Sequence, residues 1–222
     1  MPRPELLREA VTDLKPKLRG WLHAAIAPLA FFSFLVMLVL ADNVVVRAGA
    51  AVFMFSAMLL FGVSAVYHTG RWSERAKVIW KRFDHANIFI LIAGSYTPFS
   101  LMLLTPKHAV IMLSLVWGGA LVGMAFRIFW VTAPRGLYVP LYILLGWAAL
   151  IYAPEFFAKA PTAVMVLMVV GGALYTIGAL VYGFKWPDPS PKWFGFHEVF
   201  HALTIAAFVV HYVGVSLLAY DT

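Results

Sequence analysis

The stretch HEVFHALTIAAFVVHYVGVSLLAY, residues 197–220, has one charged residue, Glu198, and none from 199 to 220. As an α-helix that uncharged run reaches ~33 Å, enough to cross the hydrocarbon core of a bilayer. His197 and His201 stand at its entrance, one helical turn apart, so both imidazoles project from one face and can grip the same ion. His211 lies ten residues on, ~15 Å along the same helix, too far to share that ion.

The chain as a whole has the same character, with 63% apolar and 12% charged residues and a mean hydropathy of +0.86. Those values exclude an ordinary soluble domain. Cutting at charges leaves seven membrane-length windows: 20–41, 48–70, 85–106, 108–126, 136–154, 160–184 and 199–220. The reading is an all-α integral membrane protein, a seven-transmembrane helix bundle over 20–222 behind a leader at 1–19. In the leader, Leu7, Val11, Leu14 and Leu18 recur at heptad-like spacing, which suits an amphipathic interfacial helix broken at Pro16. No cleavable signal peptide is expected, and the first helix serves as its own insertion signal.

Lys and Arg set the orientation, because they are retained on the cytoplasmic side. With the N-terminus inside, the cytoplasmic segments hold 14 of the 17 basic residues, leaving Arg47, Lys107 and Lys159 outside with the C-terminus. The net charge of +7 then serves anionic headgroups, and nucleic acid is not an expected partner. The absence of cysteine excludes disulfides and thiolate ligands. Trp72, Trp80, Trp130 and the aromatic residues of FKWPDPSPKWFGF at 184–196 fit the membrane interface, and that link reads as constrained. Gly118–Gly119 and Gly171–Gly172 suit close helix packing.

Ionisable groups near hydrocarbon are costly and usually functional. His68 falls at the inner end of the second window, with Ser64 one turn deeper on the same face. Asp84 falls at the inner start of the third, and His197 and His201 enter the seventh from the same side. Three imidazoles with one open position outline a catalytic zinc site, whereas a closed structural site would need a fourth protein ligand. His85 points ~100° away from Asp84 and reads as a packing or hydrogen-bonding residue. His23 and His108, near segment ends, read as interfacial.

The motifs SAVYH at 64–68, FDHANIFILIAGSYTP at 83–98 and HEVFH at 197–201 together resemble the progestin and adipoQ receptor family, specifically its bacterial hemolysin III branch, the membrane homeostasis proteins. The resemblance runs from the first helix to the last. It implies zinc held by His68, His197 and His201, with Asp84 and Ser64 beside the metal-bound water, in the plasma (inner) membrane of a bacterium. It also places the chain near the alkaline ceramidases, which implies a zinc-dependent hydrolase of membrane-lipid amide or ester bonds. Hormone reception is not carried over, since the long N-terminal domain of the animal adiponectin receptors has no counterpart here.

In that chemistry Zn²⁺ acidifies water and polarises a carbonyl, Asp84 shuttles the proton, and Ser64 steadies the water or the oxyanion. Alternatives stand beside each role. The histidines could be ordinary buried hydrogen-bonding residues, Asp84 could pair with Arg82 or Lys81, and Ser64 could bond to its own helix backbone. A zinc ion could also merely staple the second and seventh helices in a non-enzymatic sensor of membrane state. Finally, His197-Glu198-x-x-His201 matches the HExxH of zinc metalloproteases, in which the Glu is the general base. No second half of that protease pattern is present. Transport is disfavoured because the ionisable residues cluster near one face instead of crossing the bilayer.

Overall fold

The computed structural model describes Pro16 and residues 18–220, so most of the leader and Asp221 lie outside the described residues. The chain crosses seven times: α1 (Trp21–Leu40), α2 (Val44–Thr69), α3 (Glu74–Leu103), α4 (Pro106–Phe129), a broken fifth crossing, α7 (Thr162–Phe184) and α8 (Phe196–Tyr220). The fifth comprises α5 (Arg135–Gly146), a 3₁₀ segment (Ala148–Tyr152) and α6 (Ala153–Lys159). All seven are long and apolar enough to span a membrane, and no strand occurs among the described residues.

Two departures from the sequence windows have local causes. α3 begins at Glu74, about ten residues before the window, because Ser73 caps it, its hydroxyl accepting from the Ala76 N–H at 3.4 Å. Its charged first turns extend the helix beyond the apolar run, so Asp84 lies ~15 Å into α3 and not at its start. The fifth crossing breaks because Pro154, in the first turn of α6, has no N–H for a helix running through from α5. Tyr96 covers the exposed backbone, its hydroxyl donating to the Gly146 carbonyl at 2.7 Å and accepting from the Ala149 N–H at 2.9 Å. Within a bilayer such groups need partners from the protein.

α3 is the central helix: 78% of its most apolar window is buried, against 17–44% for the other crossings. It is also the least hydropathic, and Asn87, Ser95 and Thr97 face its neighbours, where membrane helices place polar side chains. Gly94 brings α3 against α2, since a Cβ there would fall 1.8 Å from Ser56 Oγ. The expected glycine contacts hold at one member of each pair. Gly119 meets Leu145 and Gly171 meets His211, but Gly118 and Gly172 meet nothing. Edge-to-face rings of Phe34, Phe53, Phe61 and Phe208 knit α1, α2 and α8 together. Outward apolar side chains such as Val122, Phe129 and Leu144 are exposed, as a surface facing lipid tails requires.

Candidate metal centre

The alternating crossings bring the end of α2 and the starts of α3 and α8 to one end of the bundle. There His68, His197 and His201 are all buried, and one ring nitrogen from each lies within 4.8 Å of the others. Their ring centroids are 4.5 to 5.3 Å apart. His197 Nε2 and His201 Nδ1 are buried with no hydrogen-bond partner among the described residues. Buried imidazole nitrogens without donors or acceptors are costly unless a cation joins them. The donor set therefore fits a metal, and three imidazoles suit zinc among the common divalent ions.

Asp84 lies with its Oδ2 3.6 Å from His68 Nε2, and among the described residues no ion pair joins it to Arg82 or Lys81. The Ser64 hydroxyl is fully buried and makes no bond to its own helix, unlike Ser56 and Thr69, whose hydroxyls donate to carbonyls four residues back. Ser64, Asp84, His197 and His201 line one small cavity, whose empty volume including its open mouth is ≈ 320 Å³.

Glu198 is turned to another task. Its Oε1 accepts from Arg19 Nε at 2.7 Å and its Oε2 from the Gly195 N–H at 2.8 Å, which caps α8 and leaves the carboxylate outside the cavity lining. The link before α8 is constrained, as expected: Ser190 and Phe194 pair through both backbone groups, and Asp188 accepts from the Phe196 N–H.

Several side chains at this end were not foreseen. His23, expected at the interface, is buried at 2% exposure and stacks on His201 with centroids 3.9 Å apart. It enters because α1 starts against the end of α2, with Gly20 close to His68. Arg127, counted as a cytoplasmic-loop charge, is 1% exposed inside the last turn of α4. Its Nη2 donates to His85 Nδ1 at 2.6 Å, its guanidinium lies 4.1 Å over the Tyr138 ring, and its Nη1 donates to the Trp130 carbonyl. With Nδ1 accepting, His85 carries its proton on Nε2, which faces the Tyr182 hydroxyl at 3.3 Å. His85 is thus the hydrogen-bonding residue expected, and it also lines the cavity with Tyr182. The signal was available in part: Tyr138 and Tyr142, whose hydroxyl donates to the His85 carbonyl at 3.0 Å, are four apart, and an arginine ends an apolar run. His108, half-exposed, pairs with Glu155 at the other end of the bundle.

Beside the histidine cavity lies a larger apolar chamber, with an empty volume including its open mouth of ≈ 1460 Å³. The two share Leu60, Ile88, Tyr182, Phe200 and Thr204 as walls. The chamber runs along α3, the broken fifth crossing and α7, and exposed Trp147, Leu150 and Phe157 stand among its lining.

A seven-crossing membrane protein with a buried triad of histidines at one end is the class that fold and site define. The chain belongs to the Haemolysin-III related family, which matches residues 12–212. It is similar to the Hemolysin-3 homolog of Bacillus subtilis (strain 168), 34% identical over 134 residues that cover 60% of this chain and 62% of that one. Hemolysin-3 of Bacillus cereus is 30% identical over 127 residues, covering 57% and 58%. The Adiponectin receptor protein of Drosophila melanogaster is 27% identical over 184 residues, 75% of this chain and 41% of the receptor. The matched segment thus spans about three fifths of the two bacterial relatives, and the similarity extends to the progestin and adipoQ receptor group, as the three motifs implied.

Proposed function

We propose that this chain is a zinc-dependent hydrolase of amide or ester bonds in membrane lipids, working at the cytoplasmic leaflet of a bacterial inner membrane. The observation that carries the proposal is the shared wall between the histidine cavity and the apolar chamber. A lipid could lay its acyl chain in the chamber and present its carbonyl to the histidines, entering sideways along the broken fifth crossing. The cytoplasmic placement rests on the basic residues, which gather at the histidine end.

His68, His197 and His201 would hold the ion, which when bound would supply Lewis acidity toward water and a carbonyl. Asp84 accepts the proton of the attacking water as its oxygen bonds to the carbonyl carbon, and returns it to the leaving amine or alcohol as the C–N or C–O bond breaks. The Ser64 hydroxyl hydrogen-bonds the water or the oxyanion. Tyr182, at the junction of cavity and chamber, is placed to orient the carbonyl, with Arg127 and His85 fixing its hydroxyl.

A second reading has one observation in its favour. Asp84 approaches an imidazole of the triad, an arrangement that also serves to orient a ligand in a purely structural site. Zinc would then staple α2 to α8 in a sensor of membrane state. Lipid analysis of membranes from cells making the wild type, Asp84→Asn or Glu198→Gln separates the readings. Loss of a product only with Asp84→Asn supports the hydrolase, and loss only with Glu198→Gln returns the base role to the HExxH glutamate. If all three proteins fold, carry metal and produce no zinc-dependent lipid change, the sensor stands.

A further inference from the structure

Far from the histidines, the apolar chamber contains two polar atoms that the hydrolase reading does not use. The Tyr175 hydroxyl and His211 Nδ1 are buried with no hydrogen-bond partner among the described residues, and both side chains line the chamber. Their rings are neighbours, with centroids 5.6 Å apart. The imidazole is held from two sides: Phe99 meets it edge-on at 5.6 Å, and Gly171 leaves space that a Cβ would fill, 2.2 Å from the ring.

The tautomer follows from the remaining bond. His211 Nε2 lies 3.3 Å from the Met168 carbonyl oxygen, which can only accept, so Nε2 carries the proton and Nδ1 keeps a lone pair. Tyr175 has a proton to give. The chamber wall thus carries one acceptor and one donor on neighbouring rings, a pair that matches a hydroxyl, which donates to one and accepts from the other. A ketone would leave Nδ1 unsatisfied, and a plain methylene would leave both atoms so, which in an apolar setting counts against the ligand. Two rulers give the depth. Tyr175 lies seven residues from Tyr182 on α7, ~10 Å, and His211 ten from His201 on α8, ~15 Å.

We propose that Tyr175 and His211 form a hydroxyl-reading subsite within the chamber, selecting long-chain lipids with a hydroxyl well down the chain from the group presented to the histidines. The subsite rests on the reading that the chamber takes a lipid chain. It requires neither zinc nor turnover.

The test is displacement of a fluorescent fatty acid from the purified full chain in lipid nanodiscs by ricinoleate and by oleate, which differ only in a mid-chain hydroxyl. The wild type should bind ricinoleate about tenfold more tightly, the ratio expected of one well-made hydrogen-bonding contact. Tyr175→Phe and His211→Leu should each reduce the ratio, and the double variant should bring it near one. Undiminished oleate binding by the variants shows that they are folded. Equal binding of the two acids by the wild type would mean that a water serves the pair, and the subsite falls while the chamber stands. A ratio retained in the double variant would place the recognition elsewhere and also overturn it. Failure of both acids to bind would remove the lipid-chain reading itself.

Discussion

Glu198→Gln distinguishes a structural glutamate from a catalytic one. In the structure the carboxylate is wholly buried while the Arg19 side chain keeps 22% exposure, and the two bonds it accepts join the approach to α1, the preceding loop and α8. Removing one partner of a fully buried pair costs about 3–5 kcal/mol, but Arg19 can turn toward water and lose less. The charged hydrogen bond sets a scale of about 1.5–3 kcal/mol, so glutamine, which can still accept from Gly195, should destabilise by about 2 kcal/mol. Alanine also removes the cap and should lose about 1 kcal/mol more. The assay is an unfolding titration in mixed micelles, with Arg19→Met and the Arg19→Met/Glu198→Gln double variant completing a cycle whose coupling should exceed about 1 kcal/mol. Both Glu198 variants should retain full metal when folded. An unaltered unfolding curve, or loss of metal from a folded Glu198→Gln protein, would refute the capping role.

Elemental analysis should find one zinc per chain in the wild type, strongly reduced by alanine at His68, His197 or His201 and unchanged by His211→Ala; equal metal in all four variants contradicts the site. His23→Ala should keep that stoichiometry but weaken zinc roughly tenfold in a chelator competition, the lower end for residues that support ligands. Gly171→Ala should cost about 1–3 kcal/mol through overpacking against His211, and His211→Ala in the same chain should recover most of it. A reporter fused after Thr222 should be active only if it is a type that folds outside the cytoplasm, and activity of a cytoplasm-only reporter there would reverse the proposed orientation.

The sequence by itself determined the solvent, the number of crossings and the three histidines that meet. Uncharged runs of membrane length leave few alternatives, because backbone groups in hydrocarbon must bond within their own helix. The four-residue spacing of His197 and His201 carries its own geometry. Only the tertiary structure decided which neighbours the triad has. His23 and Arg127 sit near charged or polar segment ends, where a sequence gives no sign of whether a side chain turns to water or into the bundle. Their burial is set by the packing of α1 against α2 and of α4 against α3 and α5. The break at 147–152 was within reach of sequence through Pro154, but its repair by Tyr96 was not, since that bond spans some 50 residues. Glu198 shows the same division. Its place in HExxH suggests a base, yet Arg19, 179 residues away, takes its carboxylate, and contacts at that separation exist only once the helices have packed.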